Sequence, residues 1–386
     1  MSPPASLPAL DVVSGEEWDD IETAMRAAAE DRSRRRASVG VPSFVDVEDV
    51  VPDVPRAVTH RPRGLKVTDL AAQEWCEREL AFTLVRGRVE TAAMAAGTAR
   101  HAELEAEVME RIEVAVETAE DRWAVRALDA HVGLEQLRGE GMTRELPVFG
   151  WLLPDGDAAR DASFAVGIVD ELWLDRSRPA SRARLVDHKT RASRALPTEA
   201  QARTTRVQLM AYKTLFDGLV RRGVDPGGRL SARIGLRRDA AVSEDVAARV
   251  AEVLPALGAD ARDGVVTLGD VFDAVSRSFA RFEPSAETLF VEYEWQRGGE
   301  PLGSASFDHD ERWFTARAKT HVSFWDGSRD AGSASSAGRP VVHGVADDEA
   351  WKCERCRFSG DCPTAAVFAE RWERERRARK AIGEGA

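Results

Sequence analysis

An α/β core behind a helical lead-in is the fold that the residue pattern predicts. Three features carry this: helically spaced stretches come first, three strand-like segments follow closely, and a long helical stretch succeeds them. Order should begin near Leu65. Thr68 or Asp69 can cap a helix over Leu70–Leu84, and the Ala/Glu/Arg-rich stretch Glu90–Leu137 reads as one or two more. Glu145–Trp151, Ser163–Leu174 and Ala183–Thr190 have strand character, separated by turn-rich Pro154–Asp157 and Asp175–Ser181. Residues 199–223 return to helical spacing; Leu289–Gln296 reads as a strand and Glu311–Trp325 as a helix. A Gly/Ser/Ala-rich loop at 327–338, a cysteine cluster and a basic helix close the chain, and no internal repeat is visible.

The chain has 386 residues and a formal net charge of −12, which at first sight disfavours a nucleic-acid partner. The distribution matters more than the sum. Residues 1–60 hold 12 Asp/Glu against 6 Arg, whereas residues 182–206 hold 7 Arg/Lys against 2 acidic residues and residues 371–380 hold 6 against 2. No stretch approaches the roughly 20 apolar residues of a membrane span, so no membrane partner is expected. The first thirty residues lack the order of a secretory signal, and four cysteines cannot staple so long a chain. The expected compartment is intracellular and reducing, where thiols serve as metal ligands or buried apolar groups.

Strand alternation sharpens the middle of the chain. In Ser163–Leu174 it places Phe164, Val166, Ile168, Asp170, Leu172 and Leu174 on one face, so Asp170 sits in an apolar row. An isolated carboxylate there is costly unless a cation or donors compensate. In the next strand, Ala183, Leu185, Asp187 and Lys189 share a face. If the two strands pair, three charged groups converge: Asp170 and Asp187 as hard oxygen ligands for Mg²⁺ or Mn²⁺, and Lys189 as a point charge beside them. That set suits metal-dependent phosphodiester hydrolysis; a structural Asp–Lys ion pair is the competing reading. On the following helix Gln208 and Tyr212 are four apart and share a face that can lie along the site, or pack in the core. His101 and Glu105 are likewise four apart, with no role that spacing alone assigns.

The cysteines are Cys76, Cys353, Cys356 and Cys362, the last three in C-x2-C-x5-C spacing. Three thiols in ten residues of a cysteine-poor chain point to a metal centre. A four-cysteine zinc site competes, although the two local C-x2-C pairs usual for zinc are absent.

Gly167-Ile168-Val169-Asp170, Asp187-His188-Lys189 and Gln208-x-x-x-Tyr212, preceded by Gly97-Thr98-Ala99-Arg100-His101, resemble the RecB-type branch of the PD-(D/E)xK nuclease superfamily. Lys66–Leu70, Glu74–Glu77, Thr143–Gly150, Val291–Tyr293, Trp325–Arg329, Gly344-Val345 and Trp351–Phe358 narrow the resemblance to the exonuclease V family, from about Leu65 to Cys362. The resemblance implies a PD-(D/E)xK core, a central mixed β-sheet flanked by helices. It implies His101, Asp170 and Asp187 as metal ligands, Lys189 as catalytic with Gln208 and Tyr212 beside it, and a 4Fe-4S cluster on Cys76, Cys353, Cys356 and Cys362 that staples the C-terminus. It further implies a single-stranded DNA exonuclease, 5′ to 3′, releasing short oligonucleotides in DNA repair and in genome or mitochondrial DNA maintenance.

The expected organisation is thus an acidic, mostly disordered tail (1–62), an exonuclease domain with its iron–sulfur cluster (63–365) and a basic C-terminal helix or tail (366–386). Arg182, Arg184, Arg191, Arg194, Arg203 and Arg206 flank the motifs and are candidate phosphate contacts in a single-strand groove. Single-stranded DNA is the expected partner, with a single-strand-binding protein as a further candidate. The expected state is a monomer in the nucleus or mitochondrion. Two other readings stay open: a CRISPR-associated or helicase-coupled RecB-like nuclease, and a non-catalytic metal-bearing DNA-binding module.

Overall fold

The structure is a computed structural model that describes residues 61–383 except 62, 89, 107–113, 158, 179–180, 261–264 and 330–341. The acidic tail and most of the 327–338 loop lie outside the described residues. The chain divides after Val345 into two compact units, the larger spanning 52–345.

In the larger unit, β1 (Leu65–Lys66) runs directly into α1 (Val67–Trp75). The cap lies earlier than expected: Lys66 is the N-cap, and Asp69, in the first turn, accepts its backbone N–H at 3.2 Å. The single helix expected over Leu70–Leu84 is two, because Cys76 is extended (φ −165°, ψ 113°) between α1 and α2 (Glu77–Arg86). The apolar spacing resumes after the break, so periodicity alone cannot reveal it. The break delivers the buried Glu77 carboxylate to Arg329 (2.6 Å) and to the backbone N–H of His343 (2.9 Å).

Helices α3 (Ala92–Ala106) and α4 (Ala119–Glu140) follow. A reciprocal cap starts α4: the Thr118 hydroxyl accepts the Asp121 N–H (3.0 Å), and the Asp121 carboxylate accepts the Thr118 N–H (3.0 Å). Gly141, at φ 88°, ends it in the left-handed conformation that glycine adopts without penalty. Then come β2 (Met142–Trp151), β3 (Phe164–Trp173), β4 (Arg184–Arg191) and α5 (Glu199–Arg222), close to the expected bounds. After shorter helices, α6 (Leu268–Phe279), β5 (Thr288–Trp295), β6 (Pro301–Asp308) and α7 (Glu311–Asp326) complete the unit. Strand β6 was not expected; its small, largely exposed residues show no apolar alternation.

The six strands form one mixed sheet in the order β1-β3-β4-β5-β6, with β2 on the other edge of β3. Strand β1 pairs with Ala165 and Val166, β4 with Glu171–Trp173. The two thus share one edge of β3, and the stretch Gly167–Asp170 between them has no ladder partner on that edge. Helix α4 packs on β2, where Trp123 meets Phe149 edge-on at 5.2 Å, and α5 packs across β2, β3, β4 and β5. The expected uniform apolar row does not hold: Ile168 is 48% exposed, whereas Glu171, on the opposite face, is buried.

A buried polar cluster fixes α5. Lys213 donates to Asp217 (3.1 Å) and to the Ser285 carbonyl (3.0 Å), while Asp217 accepts the Ser285 N–H (2.7 Å). All three residues are under 5% exposed, so neither charge tolerates loss of its partner.

In the smaller unit a 21-residue helix, α8 (Pro363–Gly383), follows a short cysteine-bearing segment and carries the basic run. It begins three residues before the expected tail boundary, and Phe368 stacks with Trp372 at 6.1 Å within it.

Replacing Asp217 with Ala leaves the buried Lys213 ammonium with only the exposed Glu287 carboxylate, at 3.4 Å, as a charged partner and should cost about 3 kcal/mol. Urea unfolding monitored by circular dichroism measures this; a loss below about 1 kcal/mol would mean that the cluster does not hold α5.

Candidate active site

Four elements converge on the gap beside β3. Register does the first part: Leu172 stands opposite Leu185 on β4, so Asp170 and Asp187 lie at the same level, two residues along each strand and on the same face. Asp187 is fully buried, and Lys189, two residues on, reaches back to it with Nζ 3.0 Å from Oδ1 and 2.8 Å from Oδ2. The expectation that Asp187 and Lys189 project to one side is met.

Helix α5 supplies the second part. Lys189 donates to Gln208 Oε1 (3.3 Å), and Gln208 Nε2 donates to the Tyr212 hydroxyl (3.0 Å). The chain Asp187–Lys189–Gln208–Tyr212 thus holds the ammonium in place from both ends. Gly167 makes this approach possible, since a Cβ there would lie 2.6 Å from Tyr212 Cε1.

Helix α3 supplies the third part. His101 Nδ1 lies 3.6 Å from Glu145 Oε1 and 3.9 Å from Asp170 Oδ2. Ligand atoms of His101, Glu145 and Asp170 all fall within 4.8 Å of one another. Glu145 is a site residue that sequence reasoning missed, having been read as the start of a strand. It has φ 51°, the one non-glycine residue with positive φ among those described. Only the register reveals it: Arg144 pairs with Glu171 and Leu146 with Val169, so Glu145 falls opposite Asp170. Tyr293 was also missed as a site group. It is buried on β5 opposite Lys189. The Glu105 side chain lies outside the described residues.

The electrostatics record concentrated negative charge. Burial and the neighbouring Asp170 charge push the Asp187 carboxyl up to about 7, although Lys189 opposes the shift. Burial pulls the Lys189 ammonium down, but the charges of Asp187 and Asp170 more than offset it, so Lys189 stays cationic. The bond to Glu145 raises His101, against burial and with help from Asp170. Burial, followed by the charges of Asp170 and Asp187, raises Tyr212 well above its ordinary value. Three carboxylates facing one ammonium are short of positive charge. A divalent cation fits that deficit: His101, Glu145 and Asp170 are placed to hold it, with Asp187 adjoining, and octahedral ligand shells span about 4 Å across.

The candidate phosphate contacts separate into two groups. Arg182 and Arg184 lie at the far end of β4, with Arg184 five residues or roughly 17 Å from Lys189. Arg191 and Arg206 lie near enough for their charges to act on Tyr293. Arg194 stacks over Trp295 at 3.8 Å and pairs with Glu300, and Arg203 is turned inward onto the buried Glu74 at 3.2 Å. Cys76 occupies the α1–α2 break; in the other unit, Cys353 and Cys362 are buried and Cys356 is half-buried.

A mixed sheet presenting these carboxylates, an imidazole and a half-buried ammonium defines a hydrolase-type site able to hold a metal ion. The sequence model of the family described as exonuclease V, a 5′ deoxyribonuclease, matches residues 56–185, 176–264 and 266–363. The chain belongs to the exonuclease V family and is a hydrolase acting on DNA, a DNA exonuclease. It is 28% identical over 307 residues to exonuclease V of Danio rerio, covering 78% of this chain and 70% of that protein. No described helix is long and apolar enough to cross a membrane.

The Asp187 shift sets a pH dependence. An unfolded aspartate titrates near 3.9, so between about pH 4 and pH 7 the folded, metal-free protein holds a proton that the unfolded chain has released. Stability of the metal-free protein should fall as pH rises through that window, other groups aside. A bound cation reverses the penalty, so thermal stabilisation by Mg²⁺ should be larger at pH 8 than at pH 5.5. Equal shifts at both pH values in scanning fluorimetry would refute the linkage.

Proposed function

We propose that this exonuclease is specific for single-stranded DNA, requires Mg²⁺ or Mn²⁺, and degrades from 5′ ends to release short oligonucleotides. The observation that carries the metal requirement is the convergence of His101, Glu145, Asp170 and Asp187 beside Lys189. The bound cation would lower the pKa of a ligated water and neutralise charge on the phosphate. The chain's own groups do the rest. Asp170, which accepts the His188 N–H at 3.0 Å, and Asp187 fix the ligand oxygens on two strands. Lys189, held between Asp187 and Gln208, is a preorganised positive charge for the transition state. Arg191 and Arg206 are the nearest of the candidate arginines for the strand backbone. The single-strand preference and the 5′-to-3′ direction rest on the family resemblance, as does the place in DNA repair and in genome or mitochondrial DNA maintenance.

We assign Cys76, Cys353, Cys356 and Cys362 to a structural 4Fe-4S cluster. Supporting this are the donor set, four thiolates, and the fold around the trio. Cys356 N–H bonds to the Cys353 carbonyl and Cys362 N–H to the Phe358 carbonyl, so the three thiols ride on successive turns. A monomer, with single-strand-binding protein as a partner on DNA, completes the reading.

Asp187→Ala and Lys189→Ala should each lower cleavage of end-labelled single strands at least ~10³-fold, while gel-shift affinity for the same strands changes little. Wild-type turnover by Asp187→Ala would reject the site. Strands blocked at the 5′ end should resist digestion, strands blocked at the 3′ end should not, and EDTA should abolish digestion of the latter. Anaerobically purified protein should contain about four iron and four sulfide per chain; zinc without iron would reject the cluster.

A further inference from the structure

The three strands that carry the acidic groups are weakly joined at the level where the groups meet. In the β2–β3 ladder the Glu145–Asp170 pair is missing, because Glu145 has left the extended conformation. The β3–β4 ladder stops at Glu171–Val186, one step before Asp170 would face Asp187. There the Asp170 carboxylate accepts the His188 N–H in place of a ladder bond. Backbone pairing therefore brings Asp170 and Asp187 to one level but ends one residue short of them, leaving their final separation to side chains.

The reverse face of the sheet does hold a link at this level. Arg144, Glu171 and His188 each adjoin a site residue in sequence, and alternation sends their side chains to the opposite face. The Glu171 carboxylate, only 4% exposed, lies 2.5 Å from Arg144 on β2 and 3.1 Å from His188 Nε2 on β4, and accepts from the indole of Trp173. His188 Nδ1 is 3.9 Å from Glu292 on β5, so the row alternates basic and acidic across four strands. A carboxylate so shielded from water is little screened by salt. Alternation sets these side chains on the face away from Asp170, Asp187 and Lys189.

We infer that Glu171, tied to Arg144 and His188, is a positioning residue that fixes the spacing of Asp170 and Asp187 and thereby the affinity for the divalent cation. The inference rests on the reading that these aspartates border a cation site. Groups that orient metal ligands from behind typically change affinity or activity by about 10–100-fold when lost. Glu171→Ala should weaken Mn²⁺ binding by about that factor and lower kcat, with KM for single-stranded DNA unchanged. Glu171→Gln, which still accepts from His188, should recover most of both.

The test is Mn²⁺ binding to the EDTA-stripped full-length protein, followed by electron paramagnetic resonance, with kcat and KM measured alongside. His188→Ala, at a residue 19% exposed, provides a second variant that does not strand Arg144. It should shift Mn²⁺ binding in the same direction. Wild-type Mn²⁺ affinity in folded Glu171→Ala, or in His188→Ala if the former does not fold, overturns the inference. A raised KM with unchanged Mn²⁺ affinity also overturns it, by placing the row on the DNA. The underlying reading fails separately: Asp187→Ala would then bind Mn²⁺ as the wild type does.

Discussion

Carboxylates gathered out of water repel one another, and the architecture around Asp170, Asp187 and Glu145 answers that repulsion. Asp187 has no solvent to share its charge with, and its proton affinity rises accordingly. Lys189 supplies one compensating charge at 2.8 Å, and the His188 N–H supplies a dipole to Asp170. The remaining imbalance is the driving force for cation binding. A fold that neutralised these groups fully by itself would have little affinity left for a metal.

The sheet keeps the gap open by topology. Strands β1 and β4 occupy opposite ends of one edge of β3, leaving Gly167–Asp170 free of ladder bonds there. Unpaired backbone is normally a liability, and here α5 packs against one end of it. Gly167 admits Tyr212, and Tyr212 in turn receives Gln208, which holds Lys189. The Lys213–Asp217–Ser285 cluster, one residue beyond Tyr212 on the same helix, anchors α5 to the segment before β5. Site geometry and core packing therefore share a helix.

Much of this was legible in the residues. The three central strands, the long helix after them and the common face of Asp187 and Lys189 followed from periods of 2.0 and 3.6. Asp170 followed from strand alternation and the Gln208–Tyr212 pair from helical spacing, whereas His101 followed only from the family resemblance; the four lie in one chain of neighbouring groups. Other features were hidden for identifiable reasons. A helix break of one residue at Cys76 leaves the apolar stripe in phase. An edge strand of small residues, β6, has no alternation to detect. Arg203 looked like a phosphate contact because its charge is visible in sequence, while its buried partner Glu74 lies on a distant helix.

Glu145 marks the boundary between the two kinds of knowledge. The chain's local pattern dictated that Asp170 and Asp187 would sit on strands, and that a lysine would share the second one's face, because alternation is a property of neighbouring residues. Nothing local makes Glu145 a site residue. It becomes one when β2 pairs with β3 in a register that sets it opposite Asp170, in a left-handed conformation, with His101 brought over by α3. Register and helix crossing arise from contacts between residues far apart in the chain, so their outcome appears only when the whole core is assembled.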